Sequence, residues 1–235
     1  SYLQLDRSNP WIYAHLGECL YMTGSPDDAL DSFSKSIELD HQYLWAYAGR
    51  GRIYFDRMEF ALALLDFQQA LALNQDDTWI LNHAGECLLA LNRFDQAIPY
   101  FNQSIGLNPD DEWTLAHRGM ALMQSGRLED SRLDLNAAIR IDPEYAWAHY
   151  YLAILNGLEG KYDEAQQKFD LVLQLSPGFT QVYRERGLMF FRMGEYNRAI
   201  QEYEHLSAIF PHNISLYRLI AEAHEAAGRK DSARE

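Results

Sequence analysis

The sequence predicts an all-α solenoid of short helical hairpins, on three observations. The five tryptophans Trp11, Trp45, Trp79, Trp113 and Trp147 are the only ones in the chain, and each lies 34 residues after the last. A fixed period of that size marks a stack of repeats. Within one period the apolar residues recur at helical spacing in two stripes, Tyr13, Leu16, Gly17, Leu20 and then Ala29, Phe33, Ser36, Ile37. Between the stripes lies turn chemistry, Gly24-Ser25-Pro26-Asp27 here and Gly126-Arg127, Gly160-Lys161 and Gly194-Glu195 later. Solenoid units contact mainly their neighbours, so the chain is expected to form one continuous domain.

Taken in order, each unit begins one residue before its tryptophan. This gives repeats at 10–43, 44–77, 78–111, 112–145, 146–179 and 180–213, with a partial seventh at 214–235. The eighth residue is always small: Gly17, Gly51, Gly85, Gly119, Ala153, Gly187 and Ala221. The twentieth is Ala29, Ala63, Ala97, Ser131, Ala165, Ala199 and Ala233. These small residues let the two helices approach, while a large twenty-fourth residue (Phe33, Phe67, Phe101, Leu135, Phe169, Tyr203) fills the space beside them. Pro109, Pro143, Pro177 and Pro211 follow the second helix and end it. Asp76-Asp77 and Asp110-Asp111-Glu112 stand at unit junctions, where they cap the next helix.

This pattern of large, small, small, large and terminal proline resembles the tetratricopeptide repeat over essentially the whole chain. The resemblance implies a right-handed superhelix whose first helices line a concave surface that binds protein segments.

The ends are read as incomplete. Leu3-Gln4-Leu5-Asp6 matches the tail of a second helix, as in Ile37-Glu38-Leu39-Asp40, so residues 1–9 are expected to close a truncated preceding repeat. Lys230 to Glu235 matches the start of a second helix. Neither end carries a polar cap, which offers a route to self-association. Two finer features have a period of 68 residues. The seventh place alternates between apolar Leu16, Ala84, Leu152 and basic Arg50, Arg118, Arg186, and the stretch around Gly17-Glu18-Cys19-Leu20 recurs at Gly85-Glu86-Cys87-Leu88. The arginines are expected to bond carboxylates or carbonyls of a neighbouring unit. The sixth unit departs from the pattern at Leu206-Ser207, where a small residue followed by a large one is expected, and at Phe210, where Asp or Asn is expected.

Helical bookkeeping places the candidate site. The fourth, eighth and eleventh residues of each first helix pack on the second helix, and the third and tenth face a neighbouring unit. The second, fifth, sixth, ninth, twelfth and thirteenth fall on the opposite face with the tryptophans. That face reads Trp11, Ala14, His15, Glu18, Tyr21; Trp45, Ala48, Arg52, Phe55; Trp79, Asn82, His83, Glu86; Trp113, Ala116, His117, Met120, Met123; and Trp147, Tyr150, Tyr151, Ile154. It then turns charged, with Gln181, Arg184, Glu185, Arg192 and Arg218, Glu222, Glu225. Five half-exposed indoles would form an apolar patch at or beyond what a monomer normally carries. A partner segment is therefore expected to cover it, with Met120, Met123, Trp147, Tyr150 and Tyr151 as the main contact cluster and small Ala14, Ala48 and Ala116 leaving room for guest side chains. The competing reading makes each indole a wedge between units.

Other classes of function find less support. A formal charge of −14 and a pI near 4.9 argue against a phosphate-binding face, so no nucleic acid partner is expected. No run of 18 apolar residues exists, so no membrane insertion is expected. No charged and apolar leader is visible, which favours the cytoplasm for this stretch of chain. Cys19 and Cys87 lie two units apart, too far for a disulfide, and are expected to be small buried apolar side chains. Neither a metal site nor a cofactor is implied: His15, His83 and His117 share one place in three units, but no pair lies at ligand spacing on one helix. No phosphate loop, Gly-x-Ser-x-Gly elbow or His-Glu-x-x-His is present, so catalysis is not expected. The chaperone-binding branch of the family clamps a terminal carboxylate with Lys and Asn, and Ala14, Glu18, Ala48 and Arg52 do not reproduce that clamp. The leading expectation is a protein-interaction scaffold, the alternatives being a regulatory arm of a longer enzyme and a self-assembling module.

Overall fold

The computed structural model describes residues 8–232, with side chains to residue 228. The expected tail of a preceding repeat at Leu3 to Asp6 and the twentieth-place Ala233 lie outside the described residues. Among the described residues there are thirteen α-helices and no strand: α1 Pro10–Met22, α2 Pro26–Leu39, α3 Leu44–Asp56, α4 Phe60–Leu73, α5 Thr78–Ala90, α6 Phe94–Leu107, α7 Glu112–Gln124, α8 Leu128–Ile141, α9 Ala146–Leu158, α10 Tyr162–Leu175, α11 Gln181–Arg192, α12 Tyr196–Ile209 and α13 Ile214–Ser232. The chain divides into two compact units, residues 1–131 and 132–235, and the division falls within α8.

In the first unit α1 pairs with α2, α3 with α4 and α5 with α6, and each pair packs on the helix that follows it. The hairpin turns need one residue in the left-handed region, which Gly24 supplies at φ 83°. Met58 and Asn92 occupy the same place in the next two hairpins at φ 59° and 57°. The junction acids act as caps: the Asp77 carboxylate accepts from Ile80 N at 3.1 Å and that of Asp111 from Trp113 N at 3.2 Å. The small residue at the eighth place is explained by the ring opposite it. A Cβ on Gly85 would lie 2.5 Å from the Phe101 ring, and one on Gly51 would lie 2.9 Å from Phe67. Phe67 and Phe101 are completely buried with Ala63 and Ala97 beside them.

Arg50 and Arg118 do what their place in an apolar stripe suggests. Arg50 donates through Nε and Nη2 to the two oxygens of Asp66 on α4, both at 2.8 Å, and through Nη1 to Ser34 Oγ on α2 at 3.2 Å. One side chain thus ties its own hairpin to the preceding one. Arg118 reaches back to Asn102 on α6 at 2.9 Å.

In the second unit α9 pairs with α10 and α11 with α12, and α13 packs on α12. Gly160 and Gly194 turn the two hairpins at φ 78° and 73°. Arg186 repeats the tie, donating to Asp170 on α10 at 2.6 Å and to Glu202 on α12 at 3.0 Å. A Cβ on Gly187 would lie 2.4 Å from the Tyr203 ring, and that ring fills the site Phe fills elsewhere.

Two expectations are corrected. Cys87 is buried in the core of α3 to α7, whereas Cys19 is exposed, because no described helix covers that side of α1. At the other end the chain does not turn before Lys230: α13 continues through Gly228 to Ser232 as one 19-residue helix, with Gly228 itself helical.

Candidate functional site

The tryptophan face is built from a small motif repeated along the first helices. On α1, α5 and α7 a histidine four residues after the tryptophan lies against the indole, at centroid distances of 3.9 Å for Trp11 and His15, 4.1 Å for Trp79 and His83, and 3.8 Å for Trp113 and His117. Each imidazole is fixed by Nδ1, which donates to the tryptophan carbonyl at 2.9, 2.8 and 2.8 Å respectively. A carbonyl can only accept, so the neutral ring carries its hydrogen on Nδ1 and leaves Nε2 as an acceptor. On α9, Tyr151 takes the histidine's place beside Trp147 at 5.6 Å.

On α3 the equivalent residue is Gly49, and Trp45 has no ring contact among the described residues. It is the most exposed of the five, at 64%, against 53% for Trp11 and 40% for Trp79. The missing ring leaves a cavity of about 320 Å³ between α1, α3 and α5. Phe33, Ala14, Ala48 and Gly49 line it, Trp45, Trp79 and His15 add aromatic surface, and Glu18 and Arg52 add charge. Gly49 is required there by space, since its Cβ would lie 2.4 Å from Phe33 Cζ. Arg52 lies over the Tyr21 ring at 4.6 Å and 3.6 Å from Glu18, so one cation and one anion mark the polar end of an otherwise apolar slot. Further along the face, burial pushes the Glu86 carboxyl up to about 7. Burial lowers His83, and also lowers His117 to about 4.

The remaining candidates are distributed differently from the expectation. Trp113 and Trp147 are half-buried, as is Met120, while His117, Met123, Tyr150 and Tyr151 are buried. The main contact cluster expected at Met120, Met123, Trp147, Tyr150 and Tyr151 is therefore not an open surface. On α9 the reason is Phe179, from the loop after α10, whose ring lies 4.6 Å from Trp147 and 5.0 Å from Tyr150. His117 lies stacked on Trp113. Asn82 is half-buried and donates to Thr114 Oγ1 at 2.8 Å, tying α5 to α7. Trp79 and Trp113 also meet Phe67 and Phe101 of the preceding hairpins edge-on, at 5.8 and 6.3 Å, so these two indoles act in part as wedges. Arg184, the charged candidate of the second unit, is exposed.

Sequence reasoning missed Phe33 and Gly49 as slot residues. The signal was present in the sixth place of the units, which reads His15, Gly49, His83, His117, Tyr151: the one gap in that series is where the slot opens. Among the described residues no group of three or more His, Cys, Asp or Glu could hold a metal ion, and no helix is long and apolar enough to cross a membrane.

Comparison with known proteins agrees with this architecture. Residues 49–112 match a family model described as tetratricopeptide repeat, and residues 119–157 match a second one described as TPR repeat. No curated protein matches the chain. Similar solved structures include YrrB, titled a TPR protein with an unusual peptide-binding site, at 22% identity over 75% of this chain and 91% of that one, with a TM-score of 0.68. PilF of Pseudomonas aeruginosa is 20% identical over 92% of this chain and 98% of its own, with a TM-score of 0.67. A tetratricopeptide repeat protein from Parabacteroides merdae is 16% identical over 93% of this chain and 99% of its own, with a TM-score of 0.72. At these identities the likeness is one of fold.

Proposed function

The chain is a tetratricopeptide repeat protein, and from that premise we propose that it is a protein-interaction scaffold whose first unit holds a partner segment by one large apolar side chain inserted between Trp45 and Trp79. The observation that carries this reading is the gap at Gly49, which leaves Trp45 unstacked beside a cavity of about 320 Å³. An indole left 64% exposed beside small residues gains from a guest ring or branched aliphatic chain that dries it. Glu18 and Arg52 at the edge give a bound segment one donor and one acceptor with which to fix its direction. YrrB, of similar fold, is described as having a peptide-binding site, which supports assigning this kind of ligand to the fold.

The reading is tested by selecting displayed random peptides on the protein of residues 1–235 and titrating the selected sequences by calorimetry. Selected peptides are expected to share one large apolar residue, and Trp45→Ala is expected to weaken them by roughly 2 kcal/mol with little change in melting temperature. If Trp45→Ala lowers the melting temperature and leaves the affinity intact, Trp45 is a packing wedge and the reading fails.

A further inference from the structure

The second unit contains a cleft of about 380 Å³ between α11, the end of α12 and α13. It opens where the sequence breaks its own pattern. At the twenty-seventh place of the first four units Ser36, Ala70, Ser104 and Ala138 are fully buried small residues that let the following hairpin close in, and the fifth unit has a buried Val172; in the sixth unit the residue is Leu206. Four residues on, Asp40, Asn74 and Asp142 turn back to accept a backbone N–H two residues ahead, at 2.8, 3.2 and 2.9 Å. Phe210 has no atom with which to do this, and its ring, 46% exposed, lines the cleft instead. Two substitutions thus turn a closed junction into a recess with an apolar floor of Leu206, Phe210 and Leu219.

The rim of that recess is basic in a protein of net charge −14. Arg184 and Arg218 line it against a single acid, Glu222. Arg218 is exposed and has neither an ion pair nor a hydrogen bond among the described residues. Arg184 is 60% exposed and makes only a 3.4 Å contact with its neighbour Glu185. The seventh-place arginines are tied down, Arg50 to Asp66 and Arg186 to Asp170 and Glu202, whereas Arg184, with its one 3.4 Å contact, and Arg218 stand above an apolar recess. A planar guanidinium binds a carboxylate with two parallel hydrogen bonds, and the apolar floor below it accepts the side chain next to that carboxylate. We propose that this cleft is a second binding site, separate from the Trp45 slot, which takes a protein segment carrying an Asp or Glu beside a large apolar residue.

The test uses the protein of residues 1–235 and an array of octapeptides in a Gly-Ser background, each with one Asp or Glu placed next to Phe, Leu, Ile or Tyr, together with Asn and Gln counterparts and phosphoserine versions. Binding is read by fluorescence anisotropy at low and moderate salt. Some acidic peptides are expected to bind, with their amide counterparts at least tenfold weaker. Arg184→Gln with Arg218→Gln is expected to abolish that difference, Phe210→Asp to weaken the acidic peptides about fivefold or more, and Trp45→Ala to leave them unchanged. Circular dichroism checks that the arginine variant stays folded, as expected for two exposed side chains. The proposal is overturned if no acidic peptide binds, if acid and amide bind alike, if the arginine variant binds as well as the wild type, or if binding is lost in Trp45→Ala. A preference of more than tenfold for phosphoserine over Glu overturns the assignment to carboxylates.

Discussion

Arg50 and Asp66 form a two-pronged ion pair, Nε and Nη2 each 2.8 Å from a carboxylate oxygen, with the Asp66 side chain only 6% exposed. The hydrogen bonds to Asp66 hold the Arg50 guanidinium above its ordinary pKa, so Arg50 stays charged. Removing one partner of such a pair strands a desolvated charge, whereas removing both strands none. Asp66→Ala should therefore cost about 3 kcal/mol, and Arg50→Met with Asp66→Leu should recover most of that loss. Urea unfolding followed by circular dichroism reads both, and equal stability of Asp66→Ala and wild type would show that the pair is dispensable.

The hairpin turns offer a cleaner comparison, because the same backbone conformation is held by different residues. Met58 sits at φ 59° and is exposed, where Gly24 sits at φ 83°. A side chain with a Cβ is strained in that region and glycine is not. Met58→Gly should gain about 0.5–1 kcal/mol, and Gly24→Ala should lose about 1 kcal/mol although nothing lies within 4 Å of the added carbon. Opposite signs in thermal unfolding are the expected result; a loss in both would place the effect in chain flexibility instead.

Two groups on the tryptophan face give stability a pH dependence of opposite slope. His117, lowered by burial to about 4, resists protonation in the folded state. Its contribution is full above the ordinary value of 6.5 and is lost as pH falls from there toward 4. Glu86, raised by burial to about 7, takes a proton more readily when folded, so its cost is full above pH 7 and is relieved as pH falls toward the ordinary 4.5. Glu86→Gln should thus stabilise the protein by about 1–2 kcal/mol at pH 8, after allowing for its partial exposure, and by little at pH 4.5. Urea midpoints of the two proteins at both pH values decide it; a constant difference would mean that Glu86 is not desolvated.

The period of the tryptophans carried most of the architecture. α1, α3, α5, α7 and α9 begin at Pro10, Leu44, Thr78, Glu112 and Ala146, each 34 residues after the last. Helix periodicity and the pairing of a small eighth residue with a large twenty-fourth are local properties, which a sequence displays directly. Burial of the candidate site is not local. The rule that places Tyr150 and Tyr151 opposite the hairpin core is right about helix geometry, yet both are buried, Tyr150 against Phe179 from some thirty residues on. The exposed end of the ladder was equally hidden, since Trp45 is followed four residues later by glycine where Trp79 is followed by a histidine that lies against its ring. The breaks in the pattern, Gly49, Leu206 and Phe210, locate the cavities better than the pattern itself does.

Gly49 makes that last point testable without any ligand. Its Cβ would fall 2.4, 2.5 and 2.9 Å from three carbons of the Phe33 ring, closer than side chains approach, and Phe33 is only 2% exposed. Gly49→Ala should therefore cost about 1–3 kcal/mol by overpacking. Phe33→Leu alone should cost about 1 kcal/mol for the lost ring volume, but it also removes the atoms that the new methyl meets. The double variant should then be more stable than the sum of the two single losses by at least about 1 kcal/mol, a coupling expected only of residues in contact. Strict additivity in urea unfolding would mean that Phe33 does not pack against Gly49, and that the slot beside Trp45 is not shaped as described.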